Sequence, residues 1–337
     1  MPIALDATYS LGRNLSGVGV YSRRILAGLA AAHRDETFFY CYRPHRFLRS
    51  YRERIPPNAA RRLLIGAPPG DLFHALNQRV DRPARRTVST FHDLFVLTGD
   101  YSTPEFRARF AAQARRAAQN SDAIIAVSNF TASQAEELLQ VPAARIRVIP
   151  HGVDIVESNA PRENLVLFTG AIQRRKNVAR LVRAFERMPR GWRLTLAGAA
   201  DGYGAEKELE AVGQSPRRAD IHVPGYLPSR ALEDLYARAR IFAFPSLDEG
   251  FGMPVLEAMA RGVPVVTSWR SALPEVAGDA ALLVDPFDVE AIAAALIRLA
   301  EDPQLHADLI RRGLERARRF RWESAVERTW KLYHEIK

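Results

Sequence analysis

The sequence predicts an α/β protein with two domains, each built on a parallel sheet, and three observations carry that expectation. Short β-rich runs alternate with helical patterns along the whole chain, which is how stacked βαβ units read in sequence. The 337 residues suffice for two domains that each bury a core of their own. The alternation breaks near residue 155, where IRVIPHGVD gives way to the polar, proline-containing ESNAPREN, and then restarts, so that stretch reads as an interdomain linker.

Before the break the candidate strands are IALDA, FFYCY, RRLLI, LFHAL, TVSTF, AIIAV and RIRVI. The first is followed by NLSGVGVYSRRILAGLAA, two glycines and then a long helix. After the break come LVLFT, RLTLA, IHV, IFAF, PVVTS and ALLV. DVEAIAAALIRLAED and PQLHADLIRRGLERARRF then repeat apolar residues at intervals of three and four, as amphipathic helices do. WESAVERTWKLYHEIK is one further helix of that kind.

Composition narrows the function classes. No stretch approaches the roughly 20 apolar residues that span a bilayer, and MPIALDATYS lacks the basic and apolar regions of a signal peptide, so a cytoplasmic protein is expected. The single cysteine, Cys41 in TFFYCY, has no disulfide partner in the chain and reads as a buried thiol. Residues 1–150 hold 21 Arg and Lys against 12 Asp and Glu, while the remainder holds 27 against 26, so nearly all of the +10 net charge lies in the first half. An anionic partner there would be a phosphorylated substrate, an anionic membrane surface or nucleic acid. Only four of the 48 basic residues are Lys, so arginine-rich codon usage is a further source of the pattern.

The most informative segment is SLDEGFGMPVLEAMARGVPVV, in which seven residues separate Glu249 from Glu257. A strand enters a glycine-flanked loop with one carboxylate, and the following helix presents a second two turns later, roughly 10 Å along. Gly250 and Gly252 allow backbone to approach a ligand, and Pro254 suits a first helical turn. The N–H groups of that turn sit at the positive end of the helix dipole and are suited to a phosphate. One ligand held at two points is the simplest reading.

This S-x-x-E-G-F-G-x-P-x-L-E-A-M-A pattern resembles the signature of retaining nucleotide-sugar glycosyltransferases of the GT-B fold, glycosyltransferase family 4. The resemblance implies two Rossmann-like domains with parallel sheets facing across a cleft. Residues 1–155 would form the acceptor domain, completed by a last helix from about 322 to 337 that crosses back onto it, and residues 156–321 the donor domain. It assigns Glu249 to the hydroxyls of the donor sugar and Glu257 to the nucleotide ribose. Gly250, Phe251, Gly252, Met253, Pro254, Val255 and Leu256 then line the donor between them.

The other site elements follow the same resemblance. TGAIQRRKN matches the family's G-x-x-x-x-R-K-N element, which puts Gly170, Arg175 and Lys176 on the donor phosphates beside a helix start. Gly17 and Gly19 correspond to a glycine-rich loop against the phosphates or the acceptor, and lack the third glycine of a dinucleotide fingerprint. His92, in FHD at a strand end, becomes a contact to the donor sugar or transition state by the resemblance, although a lone histidine there is more often structural. Gly225, Tyr226 and Leu227 border the nucleobase, with packing an equal reading for Tyr226. Ser128 and Asn129 cap a helix in AVSNFTASQ.

The expected reaction is metal-independent hexosyl transfer, catalysed by His92, Glu249, Arg175 and Lys176, with no cofactor and no metal. The donor is a GDP-sugar, GDP-mannose first, or else a UDP-sugar. The acceptor is a glycan or a lipid-linked glycan. The basic stretches RPHRFLRSYRER and PEFRARFAAQARRAAQ would set the protein on the anionic inner face of the cytoplasmic membrane, or are solvated helix faces. Rival readings are a nucleotide-sugar epimerase or phosphorylase on the same fold, and a basic nucleic-acid-binding protein, for which no recognition motif is present, so no nucleic acid is expected.

Overall fold

A computed structural model describes residues 2–12, 15–156 and 160–336. The chain divides into two compact units, one of residues 1–98, 104–152 and 321–337, the other of residues 99–103 and 153–320. The expected linker ESNAPREN falls partly on Glu157–Asn159, outside the described residues, and its last two residues already belong to a strand.

The first unit holds a seven-stranded, wholly parallel sheet: β1 (Ile3–Asp6), β2 (Phe38–Tyr42), β3 (Ala59–Leu63), β4 (Leu72–Ala75), β5 (Arg86–Phe91), β6 (Ala123–Ala126) and β7 (Ile146–Val148). Their order across the sheet is β3-β2-β1-β4-β5-β6-β7. Strands buried on both faces are apolar without alternation, and β6 (AIIA) is buried throughout. Ala114, Ala117 and Ala118 of the helix Pro104–Asn120 pack onto Phe73, Phe91 and Ile124 in that core.

β3 corrects the expectation of a strand at RRLLI, since it lies two residues earlier, at Ala59–Leu63. It is an edge strand that pairs only with β2, in the register Phe38↔Ala59 to Tyr42↔Leu63. Ile65, which drew the reading toward the apolar run, is 66% exposed beyond the strand end. An edge strand is defined by its backbone bonds on one side, so its side chains signal it poorly.

The helix Trp322–Glu335 belongs to the first unit. Trp330 stacks on His33 at 3.7 Å between ring centroids, and the Tyr333 hydroxyl lies 2.5 Å from Nδ1 of His74 on β4. His74 Nε2 is 2.8 Å from Thr90 Oγ1 on β5, and Tyr21 meets the same hydroxyl at 3.0 Å. This hydrogen-bonded line stitches the last helix and the helix Gly17–Ala32 (Tyr21) to two central strands. Cys41 is fully buried and free, and burial pushes its thiol up to about 12.

The second unit holds a six-stranded parallel sheet: β8 (Glu163–Thr169), β9 (Arg193–Ala197), β10 (Ile221–Gly225), β11 (Ala239–Phe244), β12 (Val265–Ser268) and β13 (Ala281–Val284). The order is β10-β9-β8-β11-β12-β13. Both sheets therefore run 3-2-1-4-5-6 from one edge, the doubly wound arrangement. Among the described residues no helix is long and apolar enough to cross a membrane.

Burial lowers the His74 pKa to about 3, and repulsion from His92 adds to it. The folded protein resists protonation there while the unfolded chain accepts a proton near pH 6.5, so stability is lost as pH falls below 6.5 toward the folded value. Urea unfolding at pH 7 and pH 5 should show a loss of roughly 1–2 kcal/mol from this one group. His74→Gln should flatten the dependence by that amount; an unchanged slope would contradict the assignment.

Candidate active site

In the second unit the chain winds outward from β8 and later returns to β11 on its other side, so the carboxyl ends of these two neighbours mark the switch point of the sheet. Two loops leave from there. β8 passes through Gly170 to a 3₁₀ turn at Arg174–Lys176, and β11 runs into Ser246–Gly252 and the helix Met253–Met259. A Cβ on Gly198, after β9, would stand 1.9 Å from the Gly170 carbonyl oxygen, so only glycine lets the two strand ends approach this closely.

The loops are joined by a buried ion triad. Glu249 Oε2 is 2.8 Å from Arg175 Nη1, and its Oε1 is 2.6 Å from Lys176 Nζ. The Ser246 hydroxyl donates to Oε1 at 2.6 Å, and the Glu249 N–H donates to Ser271 Oγ at 3.0 Å. Arg175, Lys176 and Glu249 are each no more than 8% exposed. Burial pushes the Glu249 carboxyl up, but Arg175, Lys176 and the Ser246 hydrogen bond outweigh it and hold its pKa at about 2. Lys176 also sits 4.6 Å over the Phe244 ring. Backbone bonds reinforce the junction, with Leu247 N–H donating to Arg175 O at 2.8 Å and Arg175 donating to Asp248 O.

Glu257 occupies a different environment. It is half-buried on the helix Met253–Met259, and its Oε2 accepts from the Tyr236 hydroxyl at 3.3 Å. That hydroxyl is 2.9 Å from Thr169 Oγ1, at the carboxyl end of β8. Burial raises the Glu257 pKa, and Arg261 and Tyr236 offset the rise only in part. Gly252 caps this helix at φ +103°, a backbone conformation that favours glycine, and the tip of the Leu273 side chain lies 2.6 Å from where a Cβ would stand. Phe251, Val255 and Leu256 are core side chains, while Gly250 and Met253 lie in the loop and at the helix start.

Three expectations about backbone are revised. Val255 N–H is donated to Gly252 O at 3.0 Å and Pro254 has no N–H, so the first-turn amides of this helix are not all open to a ligand. At the R-K-N element, Ala179 N–H of the helix Val178–Phe185 is donated to the Glu208 carboxylate at 2.7 Å, so this helix end is capped from within the chain. Gly17 and Gly19 form the first turn of a helix and not a loop. Ser16 caps that turn through Gly19 N–H, and Gly19 is small because Tyr9 O lies 2.9 Å from where its Cβ would be.

Other named residues fall as follows. Gly225 ends β10 with φ +74°, Tyr226 beside it is 49% exposed, and Leu227 is half-buried next to it. His92, in the first unit, is buried at the end of β5, stacked on His151 at 5.3 Å and edge-on to Tyr21 at 4.8 Å. Its Nε2 pairs with Leu76 O at 2.9 Å, and burial lowers its pKa to about 4. Ser128 caps the helix Asn129–Leu139 through Thr131 N–H at 3.0 Å.

The sequence reading missed the residues that hold the site in shape. Asn177, at φ +60°, donates to Pro245 O at 3.0 Å and Pro286 O at 2.7 Å, tying the phosphate-loop candidate to the loops after β11 and β13. Ser246 and Tyr236 orient Glu249 and Glu257. The serine of S-x-x-E and the asparagine of R-K-N were the available signals, since each stands inside a motif beside a candidate site residue.

Comparison with known proteins agrees with this arrangement. The family Glyco_transf_4, Glycosyltransferase Family 4, matches residues 15–157, and Glycosyl transferases group 1 matches residues 154–316. The chain is 34% identical over 281 residues, covering 78% of itself and 74% of the relative, to the O-antigen chain mannosyltransferase B of Escherichia coli. It is 33% identical over 287 residues to a D-inositol 3-phosphate glycosyltransferase of Xylanimonas cellulosilytica, covering 76% of itself and 67% of that protein. In fold it is similar to sucrose-phosphate synthase from Thermosynechococcus elongatus, with a TM-score of 0.79 at 22% identity over 100% of this chain and 99% of the other. A doubly wound sheet in each unit, the paired glutamates at a switch point and these matches together place the chain in glycosyltransferase family 4, with the GT-B fold.

Proposed function

We propose that the protein transfers a hexose with retention from a nucleoside diphosphate sugar to a glycan or lipid-linked glycan acceptor. The observation that carries this reading is the Glu249–Arg175–Lys176 triad, set beside Glu257 at the switch point of the second sheet. GDP-mannose is the first donor candidate, supported by the similarity to a mannosyltransferase, and a UDP-sugar is the second.

In this reading Glu257 accepts from the ribose hydroxyls and the Gly225–Leu227 turn borders the base. Arg175, Lys176 and the Met253 amide face the diphosphate, and Glu249 binds sugar hydroxyls, with His92 a further sugar contact. Arg175 and Lys176 bring the positive charge that attracts a diphosphate. As the anomeric C–O bond breaks, its electron pair passes to the departing diphosphate oxygen. The growing charge there strengthens the pull of Arg175 and Lys176 in the transition state over the ground state. The acceptor oxygen bonds to the anomeric carbon on the face the diphosphate leaves, and its proton goes to that diphosphate.

Two measurements test the roles separately. GDP and UDP should raise the melting temperature of the wild type in a thermal-shift panel, with the cognate nucleotide at about 100 Kd adding roughly 2.7 kcal/mol. Glu257→Ala should abolish the shift; equal responses from variant and wild type would sink the ribose assignment. Glu249→Gln should lower sugar transfer about 100-fold. It should nevertheless bind the free nucleoside diphosphate at least as tightly as wild type, because losing the carboxylate charge releases Arg175 and Lys176 to the phosphates. A parallel loss of nucleotide affinity would show that Glu249 acts on the nucleotide and not on the sugar.

A further inference from the structure

The carboxyl ends of β12 and β13 carry two exposed aromatic side chains that the roles above leave unused. Trp269 follows β12 directly and is 52% exposed, and Phe287, three residues past β13, is 50% exposed. A single exposed ring needs no explanation, but these two share one guanidinium. The Arg270 guanidinium carbon lies 5.8 Å from the Trp269 ring centroid and 5.4 Å from that of Phe287. Arg180, on the helix Val178–Phe185, follows at 5.2 Å from Phe287. Trp269, Arg270, Phe287 and Arg180 therefore form one continuous surface at the ligand-binding end of a doubly wound sheet.

Backbone bonds hold this surface and join it to the glutamate site. Trp269 N–H donates to Val284 O at 3.0 Å, which pins the tryptophan to the end of β13. Phe287 N–H donates to Asp285 Oδ1 at 2.9 Å, and the Pro286 carbonyl before it accepts from Asn177 at 2.7 Å. Ser271, in the left-handed region at φ +55°, accepts from the Glu249 N–H, and Ala272 N–H donates to Glu249 O at 3.2 Å. Both backbone groups of the residue read as the sugar contact are thus bonded to the loop that carries Trp269 and Arg270. The strand order β10-β9-β8-β11-β12-β13 sets the two rings past Glu249, on the side away from the Gly225–Leu227 turn. A donor laid from a base at that turn to a sugar at Glu249 ends where the aromatic surface begins. Among the described residues neither Arg270 nor Arg180 has a carboxylate within ion-pair distance, so Arg270 keeps guanidinium N–H groups for a ligand. A hexose offers an apolar C–H face to an aromatic ring and rim hydroxyls to a guanidinium, which is the pairing this surface provides.

We propose that Trp269, Arg270 and Phe287 form a subsite for the glycan chain of the acceptor, with the rings against hexose faces and the guanidinium donating to hydroxyls. The assignment rests on the glycosyltransferase reading above and adds that the second unit, which holds the donor loops, also grips acceptor sugars beyond the one that reacts. Rings on either side of Arg270 each take a hexose, so affinity rises with the length of the chain.

Calorimetry and tryptophan fluorescence on the full chain test this with tetrasaccharides of mannose, glucose and galactose, with the matching methyl glycosides, and with GDP and UDP. Sugars are titrated with and without saturating nucleotide, so that binding at the donor loops is counted apart. Wild type should bind at least one tetrasaccharide about tenfold more tightly than its methyl glycoside, and Trp269→Ala should lose that gain. Trp192 and Trp322 are buried and Trp330 is half-buried, so the emission of Trp269 should report the sugar. Trp269→Phe keeps a stacking ring: it should hold the affinity within about threefold and lose the emission change. Nucleotide affinity should stay within about twofold in both variants, which also shows that they fold. No tetrasaccharide binding by wild type, no preference over the methyl glycosides, or equal binding by wild type and Trp269→Ala would each overturn the proposal. Tetrasaccharide binding as expected with no nucleotide binding by wild type would instead strike the donor reading. Sedimentation over a range of concentrations adds a further arm. Self-association that Trp269→Ala abolishes, with no tetrasaccharide bound, would assign the rings to a second copy of the chain and overturn the glycan role.

Discussion

The buried triad of Glu249, Arg175 and Lys176 is the constraint on which the second unit's loops depend. A carboxylate and two cations, each nearly removed from water, are tolerable only together, because an uncompensated buried charge costs several kcal/mol. Pairing forces the turn after β8 against the loop after β11. The backbone then follows: Leu247 N–H meets Arg175 O, and Asn177 reaches the Pro245 carbonyl on the same loop and the Pro286 carbonyl on the loop after β13. The geometry of the site is thus set by charge neutralisation before any ligand arrives.

The sheets were legible because parallel strands buried on both faces read as apolar runs, and all thirteen predicted runs are strands at or close to their expected places. Where the reading slipped, backbone and not side-chain chemistry was deciding. β3 is placed by its pairing with β2, and the G-V-G segment is helical because Ser16 caps it. Glu257 and Glu249 were visible as a spacing. The Tyr236 hydroxyl that meets Glu257 comes from a helix 21 residues earlier, and the Glu208 carboxylate that caps the helix after Lys176 lies 29 residues beyond Ala179. Sequence distance hides such partners, since nothing in the local pattern marks them.

The excess of arginine also changes meaning once the fold is known. Arg145 donates to Ala118 O and Ser121 O, Arg217 to Met188 O and Trp192 O, and Arg162 to Tyr236 O, Ala239 O and Arg261 O. Each guanidinium satisfies several carbonyl groups where helices and loops end, which the single point charge of lysine does less well. Much of the positive charge is therefore structural fastening. An argument for an anionic partner must rest on the arginines without that duty.

The two glutamates of the opening motif end on opposite sides of the usual carboxyl range, and the cause is their partners. Both are desolvated, which favours the neutral acid. Glu249 meets two cations and stays ionised, whereas Glu257 meets a phenol and an arginine whose own partner is Glu233, and its pKa rises. A group that balances two cations is fixed in its charge state, because protonation would strand both. A group that exchanges hydrogen bonds with hydroxyls works as acceptor when ionised and as donor and acceptor when neutral. The motif thus spaces two identical side chains eight positions apart and lets the fold give one a charge duty and the other a hydrogen-bonding duty.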